Sequence, residues 1–293
     1  MRLILKLLLV AVLLAPAAGY WLTRPDRVDP EAFAGLTPDV ARGETLYYAG
    51  GCASCHAAPE AEGEAKLVLA GGHRLESDFG TFVAPNISPD PEHGIGAWSA
   101  LDLANAMLRG VSPEGRHYYP SFPYTSYIHM SAQDIVDLKA FLDTLPASDT
   151  PNAAHDLAFP FTLRRGIGLW KALYLEDDYV LANAATDTVV RGRYLVEGPG
   201  HCAECHTPRD AFGGLDRSAW MTGAPNPSGR GSIPAIDPAN LSWSESEIAY
   251  YLETGFTPDF DSAGGHMARV VENTSQLPEE DRQAIAAYLK ALP

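Results

Sequence analysis

No cysteine in this chain stands outside a C-x-x-C-H pentapeptide. The four are Cys52, Cys55, Cys202 and Cys205, so none is left over for a structural disulfide. Basic residues are scarce as well: 21 Lys and Arg face 37 Asp and Glu, for a formal net charge of -16. That balance excludes nucleic acid as a partner, because a phosphate backbone needs cationic side chains to neutralise it. An acidic surface steers a basic partner instead. What remains describes a folded protein: 46% of the 293 residues are hydrophobic and 20% charged, which is not the make-up of a disordered chain. The length suits two compact units plus connections.

Residues 3–22, LILKLLLVAVLLAPAAGYWL, are apolar apart from Lys6, with Arg2 ahead and Arg24 and Arg27 behind. At about 1.5 Å per residue such a stretch reaches across a bilayer as a helix, with Tyr20 and Trp21 at the interface. Ala15-Pro16-Ala17 also fits the small-x-small rule of a cleaved secretory signal. Either reading exports the rest of the chain.

Three chemistries use paired cysteines at this spacing: a thioredoxin-like dithiol, a zinc site and covalent haem attachment. A dithiol of that kind needs a strand-rich βαβ context, which this Gly- and Pro-punctuated helical sequence does not show. A zinc ribbon sets its second C-x-x-C about 15 to 20 residues after the first, whereas these motifs lie far apart. Haem remains. Two thiols on one helical turn can each form a thioether with a vinyl group, and the adjacent His56 or His206 then reaches the iron. The expected cofactors are two haem c groups held by Cys52, Cys55, Cys202 and Cys205.

The chain repeats itself. ARGETLYYAGGCASCH matches VRGRYLVEGPGHCAECH, WSALDLANAMLRG matches WSESEIAYYLETG, and SAQDIVDLKAFLDTLP matches PEEDRQAIAAYLKALP. Ser99 with Asp102, and Ser244 with Glu247, have the spacing of capping boxes, and Gly110 and Gly255 can end those helices. Ile135, Leu138, Phe141 and Leu142, like Ile285, Tyr288 and Leu289, follow the spacing of an amphipathic helix. The expected fold is all-α, with two tandem cytochrome c domains behind an N-terminal transmembrane helix. The expected boundaries are 1–27 for the anchor or signal, 28–150 for domain 1, 151–186 for a connecting segment and 187–293 for domain 2. Phe159, Phe161 and Trp170 suggest a connector pinned to a surface.

With GCASCH, APNISPDPEHGIGAWS, GVSPEGRHYYPSFPYTSY, LAFPFTLRRGIGLW and RGRYLVEGPGHCAECHTPRDAFGG in view, the chain resembles the class I cytochrome c superfamily. More narrowly, it is similar to the multihaem cytochrome subunits that accept electrons from membrane-bound periplasmic dehydrogenases for alcohols, aldehydes or sugar acids. The resemblance covers nearly everything after residue 27. Those subunits commonly carry three haems, whereas this chain has two motifs and an N-terminal apolar segment. The resemblance implies a periplasmic dehydrogenase as electron donor, an oxidase or another cytochrome as acceptor, and a place on the periplasmic face of the bacterial inner membrane.

The family's ligand loop reads Tyr-Pro-x-Met-Pro-Tyr, and its methionine sulfur binds the iron. Here Phe122 holds that position and cannot coordinate. In the second unit Met267 precedes the final helix at a suitable distance, which makes His206 and Met267 the expected axial pair. For the first haem His117 is the leading candidate, ahead of a vacant position, Met130 and His129. Met130 aligns with Leu277, and Met221 falls near Leu69, so both read as core. Arg209 suits a haem propionate or plain solvation. An electron carrier without a substrate pocket is the favoured reading. The alternative is a dihaem enzyme with an open haem site, resembling peroxidases or thiosulfate dehydrogenases.

Overall fold

A computed structural model describes residues 12, 14–226 and 231–293. Two hydrophobic cores organise it. In the first, helix α1 (Val40–Ala49) leads into the short haem-motif helix α2 (Cys52–His56). Helices α3 (Ala100–Arg109), α4 (Tyr124–Tyr127) and α5 (Ala132–Leu142) follow. After the connector helix α6 (Ile167–Tyr174), the pattern recurs as α7 (Asp187–Glu197), α8 (Ala203–His206), α9 (Glu245–Thr254), α10 (Gly265–Thr274) and α11 (Glu279–Ala291).

Local chemistry sets the ends of these helices. Ser99, Ser131 and Ser244 each accept from the backbone N–H three residues on, and Asp102, Asp134 and Glu247 reach back to the cap, so two orphan N–H groups are satisfied at each start. Gly110 and Gly255 close α3 and α9 in the left-handed conformation, which costs glycine little.

Each core is built on one helix crossing. Helix α1 lies across α5, and a Cβ placed on Gly43 would sit 2.0 Å from the Asp137 carbonyl oxygen. Helix α7 lies across α11 in the same way, where a Cβ on Gly192 would meet the Ala284 carbonyl oxygen at 1.9 Å. The absence of a side chain lets the backbones touch. Around the crossings Tyr47 and Ile135 in the first core, and Ala286 and Tyr288 in the second, are fully buried, each large one contributing roughly 1.5–3 kcal/mol. A carboxylate staples each crossing: Arg42 to Asp134 at 2.5 Å, and Arg191 to Asp281 through two bonds of 2.7 Å.

The cores are joined through α1 and α7. Tyr48 and Tyr194 pack against both, and the Tyr194 hydroxyl donates to Asp134 at 2.9 Å. The connector is pinned as its aromatics suggest, at Trp170: its Nε1 donates to the Phe212 carbonyl at 2.9 Å, and its ring stands edge-on to Tyr124. Phe159 is 77% exposed and pins nothing.

The all-α expectation with a leading transmembrane helix needs correcting on both counts. A hairpin of β1 (Arg74–Ser77) and β2 (Gly80–Val83) takes β3 (Asp156–Leu157) of the connector as a third antiparallel strand. A second ribbon pairs β4 (Ala224–Pro225) with β5 (Ser232–Ile233). Strands of two to four residues carry too little alternation to register as a pattern. Among the described residues, no helix is long and apolar enough to cross a membrane. Residues 3–11 and 13 of the expected span lie outside the described set, and the helical remainder up to residue 22 is too short for a bilayer core of ~30 Å.

Candidate functional site

The two pentapeptides are presented in one geometry. A left-handed residue precedes each, Gly51 at φ 55° and His201 at φ 38°. His201 holds this unusual conformation with its Nδ1 2.8 Å from the Pro199 carbonyl and its ring edge-on to Tyr127. In the motif itself, Nδ1 of His56 lies 2.8 Å from the Pro85 carbonyl, and Nδ1 of His206 lies 2.8 Å from the Pro234 carbonyl. A carbonyl on Nδ1 fixes the tautomer with its proton there and leaves the Nε2 lone pair for a metal. Burial lowers the pKa of both imidazoles, which keeps that lone pair available.

The thiols argue in the same direction. Burial pushes Cys52 and Cys202 up to about 12, the opposite of the depressed value a reactive dithiol needs. Among the described residues no group of three or more His, Cys, Asp or Glu is placed to hold a metal ion. Haem c fits. Each motif offers two free cysteines and one oriented imidazole, and beside Cys52 the buried Tyr47 hydroxyl has no hydrogen-bond partner, an orphan that a polar cofactor edge would satisfy.

The other candidate ligands are placed as follows. Met267 lies in the first turn of α10, partly buried against the second core. Met130 and Met221 are core residues, like Leu277 and Leu69 at the matching positions; the carbonyls of Leu69 and Met221 accept from Ile87 and Ile236. Phe122 packs edge-on to Tyr118 and Tyr127. His129 stacks on Tyr179 at 4.3 Å, and burial pulls it down to about 4. Arg209 pairs with Glu204 and donates to the Gly213 carbonyl at 2.7 Å.

His117 has both ring nitrogens engaged. Nε2 donates to the Thr23 carbonyl at 2.8 Å, and Nδ1 accepts from the Lys171 ammonium at 3.1 Å. Lys171 spends its other donors on the carbonyls of Arg109 and Gly110. The pair therefore ties the connector to the base of the first ligand loop, and as placed His117 offers no free lone pair to iron. Burial pulls the Lys171 ammonium from 10.5 down to about 7, opposed by Asp26. Between those values the unfolded chain holds a proton that the folded chain has released, so this group makes stability rise with pH. Below about 7 both states carry the charge and the burial penalty is complete. Lys171→Met should flatten the rise, read by urea unfolding of both proteins across that pH range. An unaltered slope would show that the ammonium is not desolvated.

Each motif is held by residues of the opposite unit, which the sequence did not announce. Ser54, in the first motif, accepts at its carbonyl from Arg269 at 3.3 Å and at its hydroxyl from Asn273 at 3.1 Å. Glu204, at the matching place in the second, accepts from Thr125 at 3.1 Å. Burial first, and then the charges of Glu204 and Cys55, raise the Cys205 thiol. Helix α10 thus carries Met267 in its first turn and, further along, Arg269 and Asn273, which hold the opposite motif.

Similarity to known proteins decides the family: the model for cytochrome c matches residues 40–146 and 189–293. The chain belongs to the cytochrome c family. It is 63% identical over 285 residues to a diheme cytochrome c-type protein of Cereibacter sphaeroides, across 97% of this chain and 96% of that one. It is 35% identical to the fructose dehydrogenase cytochrome subunit of Gluconobacter japonicus, across 92% of this chain and 56% of the relative. It is 33% identical to the cytochrome c subunit of a quinone alcohol dehydrogenase of Gluconobacter oxydans, across 87% and 55%. The chain thus spans a little over half the length of these two dehydrogenase subunits. As a c-type cytochrome it carries covalently bound haem and serves electron transfer.

Proposed function

We propose that this cytochrome c binds two haems and carries electrons in the periplasm, from a dehydrogenase to an oxidase or another cytochrome. When bound, each haem supplies an iron that changes between ferric and ferrous by one electron. The chain's own residues do the rest. Cys52 and Cys55, and Cys202 and Cys205, provide the thioether sulfurs. His56 and His206 present Nε2 because Pro85 and Pro234 hold Nδ1. Met267 would offer its thioether sulfur to the second haem, a soft donor that favours the ferrous state. The relatives named as dehydrogenase cytochrome subunits support the donor class.

One observation carries the reading: Ser54 and Glu204, one in each motif, are each held by the opposite unit, which suits electron exchange within one molecule. A redox titration followed by absorption and electron paramagnetic resonance tests it. Two one-electron centres with separate potentials support a carrier; a single centre would refute it. A second reading draws on Phe122 and on the engaged ring of His117, which leave the first iron without an evident sixth ligand. In that reading the first haem is open to substrate, and cyanide or peroxide should alter its spectrum. Two irons inert to both would remove it.

A further inference from the structure

Phe260 is 97% exposed and holds φ at 65°, a conformation that bulky side chains avoid. The duplication shows how unusual this is. In the first unit Ser112 N–H bonds to the Arg116 carbonyl, Gly115 N–H to the Ser112 carbonyl and Tyr118 N–H to the Gly110 carbonyl. In the second, Thr257 N–H bonds to Asp261, Phe260 N–H to Thr257 and Ala263 N–H to Gly255. Arg116 and Asp261 each bond to the hydroxyl at the start of their turn. These are one turn built twice, and its left-handed position is Gly115 at φ 79° in one copy and Phe260 in the other.

The two copies differ in what covers them. The first turn lies beneath the chain's own residues: Arg27 donates to the Pro113 carbonyl, Arg164 to the His117 carbonyl, and Lys171 to the Gly110 carbonyl. Val111, beside them, is fully buried. The second turn has an exposed Phe256 in place of Val111, and exposed Asp259 and Asp261 on either side of Phe260. Seven residues beyond Phe260 stands Met267. The copy that is covered shows the chemistry of its cover, which is apolar packing with Lys and Arg donating to the turn.

We propose that the 256–262 turn is the docking site for a protein electron-transfer partner, whose apolar pocket receives Phe260 and whose basic rim meets Asp259 and Asp261. The inference rests on the carrier function proposed above and names its contact surface. Nothing among the described residues covers the Phe260 ring; a pocket in a partner gives the exposed ring a use, and aromatic anchors of this kind dominate protein interfaces. The acid pair adds electrostatic guidance towards a basic partner.

Phe260→Gly restores the residue used by the other copy, which makes it a clean probe. With the haem-loaded full-length protein, its melting temperature should equal or exceed that of the unaltered protein. Reduction by ascorbate should proceed at the same rate. Electron exchange with a small lysine-rich cytochrome c, used as the protein probe, should slow about tenfold at low salt, the loss expected when an interface anchor is removed. Asp259→Asn with Asp261→Asn should weaken the salt dependence of that exchange. A protein-probe rate within about twofold of the original would overturn the docking site, and so would a lowered melting temperature, which would make Phe260 a packing residue. If the unaltered protein cannot be reduced by ascorbate or dithionite, the carrier reading itself fails, which is a separate result.

Discussion

Replacing Gly192 with alanine should prevent the second core from forming, although the same substitution in an ordinary helix stabilises it by up to about 1 kcal/mol. The reversal of sign has a single cause. The new methyl would lie 1.9 Å from the Ala284 carbonyl oxygen and 2.8 Å from the Tyr288 Cβ, inside the radius of both. Neither neighbour can yield, because Ala284 is backbone within α11 and Tyr288 is fully buried with its hydroxyl donating to Glu197 at 2.8 Å. Separating the helices would open the Arg191–Asp281 pair as well, leaving a buried carboxylate without its partner. The expected cost is on the order of 4 kcal/mol or more, the range reached only by overpacking and uncompensated charge. Against a total stability of ~5–15 kcal/mol for a domain, that is enough to lose the haem-loaded protein on expression. Gly166→Ala is the control: nothing lies within 4 Å of its added methyl, and its melting temperature should equal or slightly exceed that of the unaltered protein. A normal yield and melting temperature for Gly192→Ala would mean that the crossing is looser than described.

Gly43 should behave in the same way in the first core, with 2.0 Å to the Asp137 carbonyl and 2.9 Å to the Phe141 Cβ. The shared Arg-Gly of the two leading segments was visible as a repeat, but its meaning was not. A glycine in a helical stretch reads as a weak position until its neighbour across the crossing is known, and that neighbour lies about ninety residues away in sequence. The capping serines and terminal glycines were legible because their partners are three or four residues distant. The same rule of range divides the site. The pentapeptides declare their chemistry within five residues. Pro85 and Pro234 orient the two imidazoles through their carbonyls, and a backbone oxygen leaves no mark on residue identity. His117 looked free because its partners, Thr23 and Lys171, lie 94 residues before it and 54 residues after it. Arg269 and Asn273 gave no signal at all, because they act on Ser54 from the other unit.

Replacing Met267 with alanine should leave the fold intact and lower the potential of one haem by on the order of 0.1 V or more, a fraction of the ~0.8 V range that axial ligands control. The side chain is only partly buried against the second core, so its loss costs packing at the edge and not at the centre. What changes is the field at the iron. A thioether stabilises the ferrous state, and its removal leaves either water or an empty position, which favours ferric iron. The absorption band of methionine-bound ferric iron should vanish and the second haem should become partly high-spin. Met267→His should restore six ligands at a still depressed potential, which separates loss of coordination from loss of the sulfur. Met130→Leu and Met221→Leu supply the contrast, since both sulfurs lie in the cores among aliphatic neighbours and a volume-conserving exchange there costs under about 1.5 kcal/mol. Neither should move a potential. If Met267→Ala titrates like the unaltered protein while Met221→Leu or Met130→Leu shifts, the ligand has been assigned to the wrong methionine, and α10 no longer links the second iron to the first motif.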